Sequence, residues 1–436
     1  MKLGKRRLLL VSFMMFSLFF GAGNLIFPPF LGQNAGNMAP VAILGFLMTT
    51  VILPIVGVIV IAEFGGLDKL ASKVNPKFAL IFTIIIYLSI GPGLGIPRAA
   101  SVPFELAIAP YLPDQNLFTI SMFLYSLIFF IVACWLSLSP NKLIERIGKF
   151  LTPTLLTLLA ILFINFVLRG KHVVALAQPD YAQGALMRGF MEGYQTLDMV
   201  AALSIGLVIS TTLRALNLRD KKDVMHYTTR SGLIAGSILA TVYLMLSYMG
   251  MQSSGVYSIQ ENGAWTLRCI VTQLFGEFGA IFLAVIFTLA CLTACVGLIT
   301  SVSQYFSSLS EKVTYRQWAF LIVGFSFIIC NQGLSTILSI SVPILNAIYP
   351  VSILLIILGA MDEKIKNYRY VYPVTVFSVG FVSIVYVLES LHIPISFLAT
   401  PLHALPFYEV GMGWILVSII AFIVGIVWSK SHLKAK

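Results

Sequence analysis

Long runs of apolar residues with almost no charge recur along the chain, and they constrain its fold more than any other feature. A transmembrane helix needs about 20 mainly apolar residues to cross a hydrocarbon core of about 30 Å. Strands of a transmembrane barrel would instead show about ten residues of alternating polarity. The runs are long and continuous, so the sequence predicts an all-α integral membrane protein. Composition agrees, since 58% of the 436 residues are hydrophobic and 10% are charged, whereas a soluble domain is about 25% charged.

Twelve such runs can be placed as membrane spans, numbered 1 to 12 in chain order. They cover residues 8–30, 40–63, 78–98, 116–136, 148–168, 190–212, 231–251, 276–303, 317–337, 339–360, 369–389 and 410–429. The third could continue toward Tyr111. Because no long polar segment separates the spans, we expect a single transmembrane domain over residues 1–436 and no soluble domain.

The basic residues predict the orientation of the spans. With the N-terminus inside, all but five of the 28 Lys and Arg residues fall in cytoplasmic segments, as the positive-inside rule requires. The five on the outer side are Arg98, Arg169, Lys171, Arg188 and Arg268. The sequence therefore predicts a multi-pass protein of the inner (cytoplasmic) membrane with both termini in the cytoplasm. This distribution also explains the net charge of +11, so the predicted partner is the lipid bilayer and not nucleic acid.

Spans 1 and 6 contain residues that a plain lipid-facing helix does not need. Span 1 has GAGN at 21–24 and FPP at 27–29, and span 6 has YQTLD at 194–198. Unwound backbone at membrane depth survives only where it lines a cavity or is buried in protein. Close helix packing is the alternative explanation for the glycines. Because these spans are five apart, they cross in opposite directions, which is typical of the paired broken helices of transporters.

Three motifs give the chain a family resemblance. They are FSLFFGAGNLIFPPFLGQNAGN at 16–37, GYQTLDMVAALSIG at 193–206 and LACLTACVGLITS at 289–301. The first resembles the opening signature of the bacterial branched-chain amino acid:cation symporters (the LIV-II carriers), and the others resemble later motifs of that family. The likeness covers essentially the whole chain. It implies a LeuT-type fold, in which two five-helix inverted repeats, here 8–170 and 188–361, precede two additional helices at 368–430.

The resemblance implies import of leucine, isoleucine and valine by alternating access at broken spans 1 and 6. The substrate carboxylate needs free backbone N–H groups at a helix N-terminus, and the ammonium needs carbonyls at the frayed helix ends. These requirements give the substrate-binding set Ala22, Gly23, Asn24, Tyr194, Thr196 and Asp198. An apolar wall from spans 3, 6 and 8, with Tyr87 and Met199 as members, would receive the side chain.

Asp198 is the most informative ionisable residue, because intramembrane carboxylates are rare and usually functional. The alternative, which does not exclude the first, is that its carboxylate caps the second half of span 6. Arg98 and Glu105 lie near the outer end of span 3. An ion pair between these two side chains is the simplest structural explanation for them.

The coupling ion is expected between spans 1 and 8. In LeuT-type carriers a sodium ion lies between carbonyls of helix 1 and carbonyls and hydroxyls of helix 8. The resemblance places these ligands at Ser17, Phe20, Ala290 and Thr293, all of them oxygen donors, as a hard cation requires. Ala294 stands where related sites often have a second hydroxyl, so a proton is the alternative to Na⁺. No organic cofactor is expected.

Other functions fit the sequence less well. A channel would need a continuous polar pathway or symmetric filter elements, which the sequence lacks. A membrane enzyme would need a catalytic cluster, but the five histidines lie in loops or tails. Nothing resembles the output module of a receptor. The nearest alternative is a carrier of the same fold for a different small amino acid or a nucleobase. Oligomeric state and the preference among the three amino acids stay open.

Overall fold

A computed structural model describes residues 3–112, 114–139, 144–218, 220–260, 263–276, 278–310 and 312–434. Within these ranges every regular element is helical. Ten helices of the described residues are long and apolar enough to cross a membrane, or up to eleven if a bent pair counts as one span. The predicted all-α membrane fold is confirmed, while the count of twelve crossings and the repeat boundaries stay predictions. Four of the basic residues on which the predicted topology rests lie outside the described residues: Lys2, Lys142, Arg219 and Lys436.

The described residues of the first half, up to the end of span 6, form eleven α-helices. They are α1 (Lys5–Phe19), α2 (Ala22–Ala35), α3 (Ala39–Leu47), α4 (Leu53–Phe64), α5 (Leu67–Ala71), α6 (Pro76–Leu88), α7 (Gly95–Ala107), α8 (Gln115–Ser137), α9 (Thr152–Arg169), α10 (Pro179–Glu192) and α11 (Asp198–Ala215). Short π-helical segments join α3 to α4 and α6 to α7. Span 3 does continue to Tyr111, through α7 and one 3₁₀ turn.

The described residues of the second half form nine α-helices, of which the first and the third are the longest. They are α12 (Lys221–Ser253), α13 (Gly263–Phe275), α14 (Phe278–Leu309), α15 (Tyr315–Cys330), α16 (Leu334–Ala360), α17 (Asp362–Ile365), α18 (Val371–Ser390), α19 (Ser396–His403) and α20 (Trp414–Lys434). Helix α18 packs on both α16 and α20, and Phe377 of α18 also contacts Phe78 of α6.

One predicted boundary is wrong. The sequence placed the end of span 9 at residue 337, but α15 ends at Cys330 and α16 begins at Leu334. The two helices are bent by 106° at this break. Gly333 precedes α16 with a φ of +85°, a backbone conformation that glycine adopts without steric cost. The apolar residues after Gly333 therefore begin a new helix, whose first part, Leu334–Ser341, forms with α15 the bent pair that can count as one span.

Both interrupted spans leave the helical conformation near their middle. In span 1, Phe20 has an extended backbone (φ −76°, ψ 95°) between α1 and α2. In span 6, one 3₁₀ turn, Gly193–Thr196, is followed by Leu197 in the left-handed region (φ +70°), and α11 begins at Asp198. The start of α2 and the start of α11 therefore both lie inside the protein, where each leaves backbone N–H groups without an intrahelical partner.

The helices around these breaks pack tightly enough to bury them. Helix α2 lies against α12, where a Cβ on Gly32 would be 2.1 Å from the carbonyl oxygen of Ser247 and one on Gly250 would be 2.0 Å from that of Pro29. Such close backbone approach is typical of membrane helix interfaces built from small residues. Helix α11 packs on α4, and α14 packs on α7 and α1. The start of α2 is thereby enclosed by α7, α11, α12 and α14.

The topology can be tested with single cysteines. Lys222, in the first turn of α12, is exposed and is predicted to be cytoplasmic, whereas Lys171 is exposed and predicted to be outside. We expect an impermeant maleimide added to intact cells to label Lys171→Cys but not Lys222→Cys. The parent protein gives the background, since four of its five cysteines are buried and Cys269 is partly buried. Labelling of Lys222→Cys from outside would contradict the orientation.

Candidate functional site

The first turn of α2 is capped by its own asparagine. The backbone N–H of Gly21 donates to Oδ1 of Asn24 at 2.9 Å. This bond replaces the helical bond that the same N–H would make to the carbonyl of Ser17, so α1 ends where α2 begins. The N–H groups of Ala22, Gly23 and Asn24, in the first turn, have no carbonyl one turn earlier within the helix. Together with the helix dipole, they favour an anion at this position.

Asp198 joins three helices through its carboxylate. Nδ2 of Asn24 on α2 lies 2.8 Å from both carboxylate oxygens, and the hydroxyl of Tyr243 on α12 donates to Oδ2 at 3.0 Å. All three residues are at most 1% exposed. The capping interpretation of Asp198 is wrong in its detail, because the hydroxyl of Thr196 and not the carboxylate accepts from the start of α11, at 3.4 Å from the Asp198 nitrogen.

Arg98 reaches into the same region from α7. Its guanidinium donates to the carbonyl of Gln195 at 2.9 Å and to that of Thr196 at 3.5 Å, and the residue is only 4% exposed. Glu105 instead accepts from the backbone N–H of Leu334, at the start of α16, at 2.8 Å. The predicted ion pair between Arg98 and Glu105 is therefore wrong. Seven residues of helix separate them by about 10 Å along the axis, and each finds a nearer backbone partner.

These groups line one buried cavity of about 40 Å³ between α1, α2, α7, α11 and α14. Its polar lining consists of the start of α2, Arg98, Thr196 and Asp198. The apolar lining is Leu18, Phe19, Gly95, Ala99, Leu197, Ala201, Ala294 and Leu298. The volume is about that of a single water molecule, so a larger ligand could enter only after the helices separate. Charged groups of both signs beside an apolar wall suit a zwitterion with an aliphatic side chain.

The structure brings together most, but not all, of the predicted substrate-binding residues. Ala22, Gly23, Asn24, Thr196 and Asp198 line the cavity. Tyr194 lies apart from it, with its ring stacked on Tyr349 at 4.3 Å between centroids.

The apolar wall is built from residues other than the two named from the sequence. Tyr87 stacks on Tyr305 at 4.0 Å between ring centroids, and Met199 is fully buried outside the cavity lining. Small and branched residues of spans 1, 3, 6 and 8, together with Phe19, supply the wall instead.

The predicted cation ligands lie at the end of α1, at the break after it and on α14, and α1 and α14 pack on each other. Ser17, Phe20, Ala290 and Thr293 are all fully buried, and the Cβ of Ala294 lies 3.1 Å from where a Cβ on Gly21 would be. The hydroxyl of Thr293 donates to the carbonyl of Ala290 at 2.9 Å, which leaves its lone pairs available.

The backbone carbonyl of Ser17 is free to bind a cation, whereas the side-chain hydroxyl is not. The side chain is engaged, since its hydroxyl lies 2.7 Å from that of Thr152. The carbonyl lacks its usual helical donor, because the Gly21 N–H binds Asn24. This all-oxygen set fits a hard monovalent or divalent cation and does not fit a soft metal.

The sequence does not predict two residues of the site, Arg98 and Tyr243. Arg98 was assigned to the outer side of the membrane, yet it lies on the cavity beside the break in span 6. Tyr243 was not singled out, although a tyrosine hydroxyl in the middle of an apolar span needs a buried partner. The sequence does show both as isolated polar residues within apolar runs. Their partners, however, lie on helices that are distant in sequence.

Comparisons with known proteins identify the family. The sequence model of the branched-chain amino acid transport protein family matches residues 4–432. This chain belongs to that family. It is 37% identical to the branched-chain amino acid permease BrnQ of Bacillus subtilis (strain 168), over 99% of each chain. It is 38% identical to the permease BraB of the same strain, over 96% of this chain and 94% of that one. Because these relatives are named permeases, the prediction of a transporter and not an enzyme is confirmed.

Two solved structures of other transporters have a fold similar to that of this chain. Mhp1, a nucleobase-cation-symport-1 family transporter, matches with a TM-score of 0.60 and 12% identity, covering 98% of this chain and 93% of that one. MhsT, in complex with L-phenylalanine, matches with a TM-score of 0.50 and 17% identity, covering 96% and 97%. At such low identity the likeness concerns the fold alone. The predicted LeuT-type fold is confirmed.

Proposed function

We propose that this protein imports leucine, isoleucine and valine across the cytoplasmic membrane, driven by a sodium gradient, with both termini in the cytoplasm. The observation that carries the proposal is the cavity at the start of α2, which combines free N–H groups, a buried carboxylate and an apolar wall. Its family relatives are named branched-chain amino acid permeases. A proton-coupled carrier, or a carrier of another small amino acid or a nucleobase, is the alternative.

Each part of the substrate has a counterpart in the cavity. The carboxylate binds at the start of α2, where the N–H groups of residues 22–24 and the helix dipole favour negative charge. The ammonium binds near Asp198 and the carbonyls before α11, which accept hydrogen bonds from cations. The aliphatic side chain packs against Ala99, Ala201 and Leu298. A charged side chain would be left without a partner on that wall and would pay the desolvation cost.

Alternating access follows from the two interruptions. The cavity is too small for an amino acid, so binding and release require α2 to move relative to α1 and α11 to move relative to α10. Phe20, Gly21 and Leu197 are non-helical residues at the two breaks, and hinges are formed by a few such positions that absorb a change in φ and ψ. Opening one side at a time would expose the site first to the outside and then to the cytoplasm.

Substrate class can be tested by competition. Purified protein in proteoliposomes is expected to take up labelled leucine, and excess isoleucine or valine is expected to suppress that uptake. Lysine, glutamate and uracil are expected to have no effect, because the wall has no group that would pair with their polar atoms. Competition by lysine as strong as that by valine would contradict an apolar side-chain site, and competition by uracil would favour the nucleobase alternative.

Sodium coupling can be tested at Thr293. Leucine uptake is expected under an inward sodium gradient and not under a proton gradient without sodium. Thr293→Ala removes one hydroxyl ligand and is expected to raise the sodium concentration for half-maximal uptake by roughly tenfold, while Ala294→Ser, which adds a hydroxyl, lowers it. Thr288→Ala is the matched control, since Thr288 lies earlier on α14 and its hydroxyl contacts Tyr125. An unchanged sodium dependence in Thr293→Ala would mean that the cation binds at a different site.

A further inference from the structure

We propose that Arg98 binds the carboxylate of the substrate, and that its guanidinium leaves the backbone carbonyls of span 6 to do so. This inference rests on the proposed function, because it assigns a residue to the zwitterion that the transporter would carry. The observation behind it is the position of a buried guanidinium that touches both breaks. It contacts the carbonyls before α11 and lies against the first turn of α2.

Arg98 is placed against a helix end that repels it. Its Nη2 lies 3.0 Å from the position that a Cβ on Gly23 would take, at the positive end of the α2 dipole. A guanidinium and the N–H groups of a helix N-terminus are both donors and both favour an anion. Asp198 is the one carboxylate on the cavity lining among the described residues, and its oxygens already accept from Asn24 and Tyr243. A second carboxylate would give the guanidinium and the N–H groups of α2 an anionic acceptor.

The carbonyls that Arg98 now occupies are those that an ammonium needs. The guanidinium donates to Gln195 at 2.9 Å and to Thr196 at 3.5 Å. The second distance is long for such a bond, so the guanidinium is held loosely on that side. An entering zwitterion can exchange with it, because its ammonium takes the carbonyls while its carboxylate takes the guanidinium. No proton transfer or covalent change is involved.

This exchange makes the α-carboxylate a requirement for binding. A simple amine or an amide would displace the guanidinium from the carbonyls without giving it an anion, and a buried charge without a partner is strongly disfavoured. The guanidinium also presents two parallel N–H donors that match a carboxylate, which the ammonium of lysine cannot do. Arg98 therefore acts as a specificity residue for the carboxylate and not for the side chain.

The test compares leucine with leucinamide, whose carboxylate is replaced by a neutral amide. In the unmodified protein in proteoliposomes, leucinamide is expected to compete for labelled leucine at least ~100-fold less well than leucine itself. In Arg98→Gln, the half-saturating leucine concentration is expected to rise by about 100-fold, whereas inhibition by leucinamide changes by less than about threefold. The preference for leucine then nearly disappears. Arg169→Gln, at the exposed end of α9, is the matched control and should keep it.

Each outcome bears on the proposal separately from the function. Absence of leucine uptake by the unmodified protein would refute the proposed function. Uptake by the unmodified protein, with the preference for leucine over leucinamide intact in Arg98→Gln, would overturn the role of Arg98 alone. A purely structural role would weaken both compounds equally. If Arg98→Gln does not reach the membrane, Arg98→Lys decides, since loss of the paired donors should weaken leucine about tenfold but not leucinamide, and equal effects on both would overturn the proposal.

Discussion

Gly23→Leu is expected to abolish leucine uptake while the protein still reaches the membrane. A Cβ at Gly23 would lie 3.0 Å from Nη2 of Arg98, 3.0 Å from the Cα of Thr196 and 3.2 Å from the carbonyl oxygen of Gln195. Two of these three neighbours are backbone atoms of the break in span 6, which cannot rotate away as a side chain can. The larger side chain would fill a cavity of about 40 Å³ and cover the N–H groups that the substrate carboxylate needs.

The measurement is uptake of labelled leucine per molecule of protein in the membrane, with the amount determined from an epitope tag. Gly324→Leu is the matched control, because Gly324 lies on α15 with nothing within 4 Å of its Cβ position. That variant should transport normally. Gly23→Ala is expected to fall between the two, since one methyl group in a packed site costs about 1–3 kcal/mol. Normal transport by Gly23→Leu would mean that the glycine serves only helix packing.

The positions of the two breaks could be predicted from local sequence. A run such as GAGN at 21–24, or YQTLD at 194–198, places glycine or polar groups where an apolar helix is otherwise continuous. Unwinding at such a point is a local property of the chain, so periodicity and composition reveal it. The same reasoning identified Asp198, because a carboxylate within a span is unusual wherever it lies.

Contacts between distant helices could not be predicted in the same way. The sequence predicts an ion pair between Arg98 and Glu105 because both lie near the outer end of span 3, yet the partners of Arg98 are 97 and 98 positions away. Tyr243 reaches Asp198 from a helix whose own sequence shows no break. Which face of a span meets the cavity depends on how that span packs against several other helices. A single sequence holds little information about such packing.

Span ends were the other source of error. Runs that follow one another without a polar loop, such as α15 and α16, differ from one long run only by a few turn residues. Gly333 marks the true break, but glycines are also common inside membrane helices, where they allow close packing. The count of membrane crossings has the same weakness, because α2 to α4 form one continuous apolar stretch of 43 residues. A straight helix of that length would span about 65 Å, roughly twice the hydrocarbon core.

Asp198→Asn is expected to reduce leucine uptake to near background. In the protein, both carboxylate oxygens accept from Asn24, and Oδ2 also accepts from Tyr243. An amide keeps one acceptor and presents an NH₂ group on the other side, so a donor would face a donor. A buried polar group without a partner costs about 1–3 kcal/mol, and the substrate ammonium loses its charged partner as well. Asp180→Asn, at an exposed position in the first turn of α10, is the matched control.

Tyr243→Phe should show a smaller effect of the same kind. It removes a single donor to Oδ2 and leaves Asn24 in place. One hydrogen bond to a charged group is worth about 1.5–3 kcal/mol, which corresponds to a rise of roughly ten- to a hundredfold in the half-saturating leucine concentration. Equal loss in Tyr243→Phe and Asp198→Asn would mean that the carboxylate acts only by holding α2 and α12 together.

Asp198→Asn also separates the two candidate coupling ions, if uptake and exchange are measured side by side. Leucine exchange between the two faces of a vesicle needs a working substrate site but no ion gradient, whereas accumulation needs the coupled ion. If the carboxylate binds the substrate ammonium in a sodium-driven carrier, Asp198→Asn loses both activities. If the carboxylate carries a proton, the neutral amide imitates its protonated form, so exchange survives while pH-driven accumulation is lost. We expect loss of both, together with sodium dependence in the unmodified protein, because we propose that Asp198 binds the substrate ammonium and that the cation binds other oxygen ligands, at Ser17, Phe20, Ala290 and Thr293. Surviving exchange with lost pH-driven accumulation would identify a proton symporter.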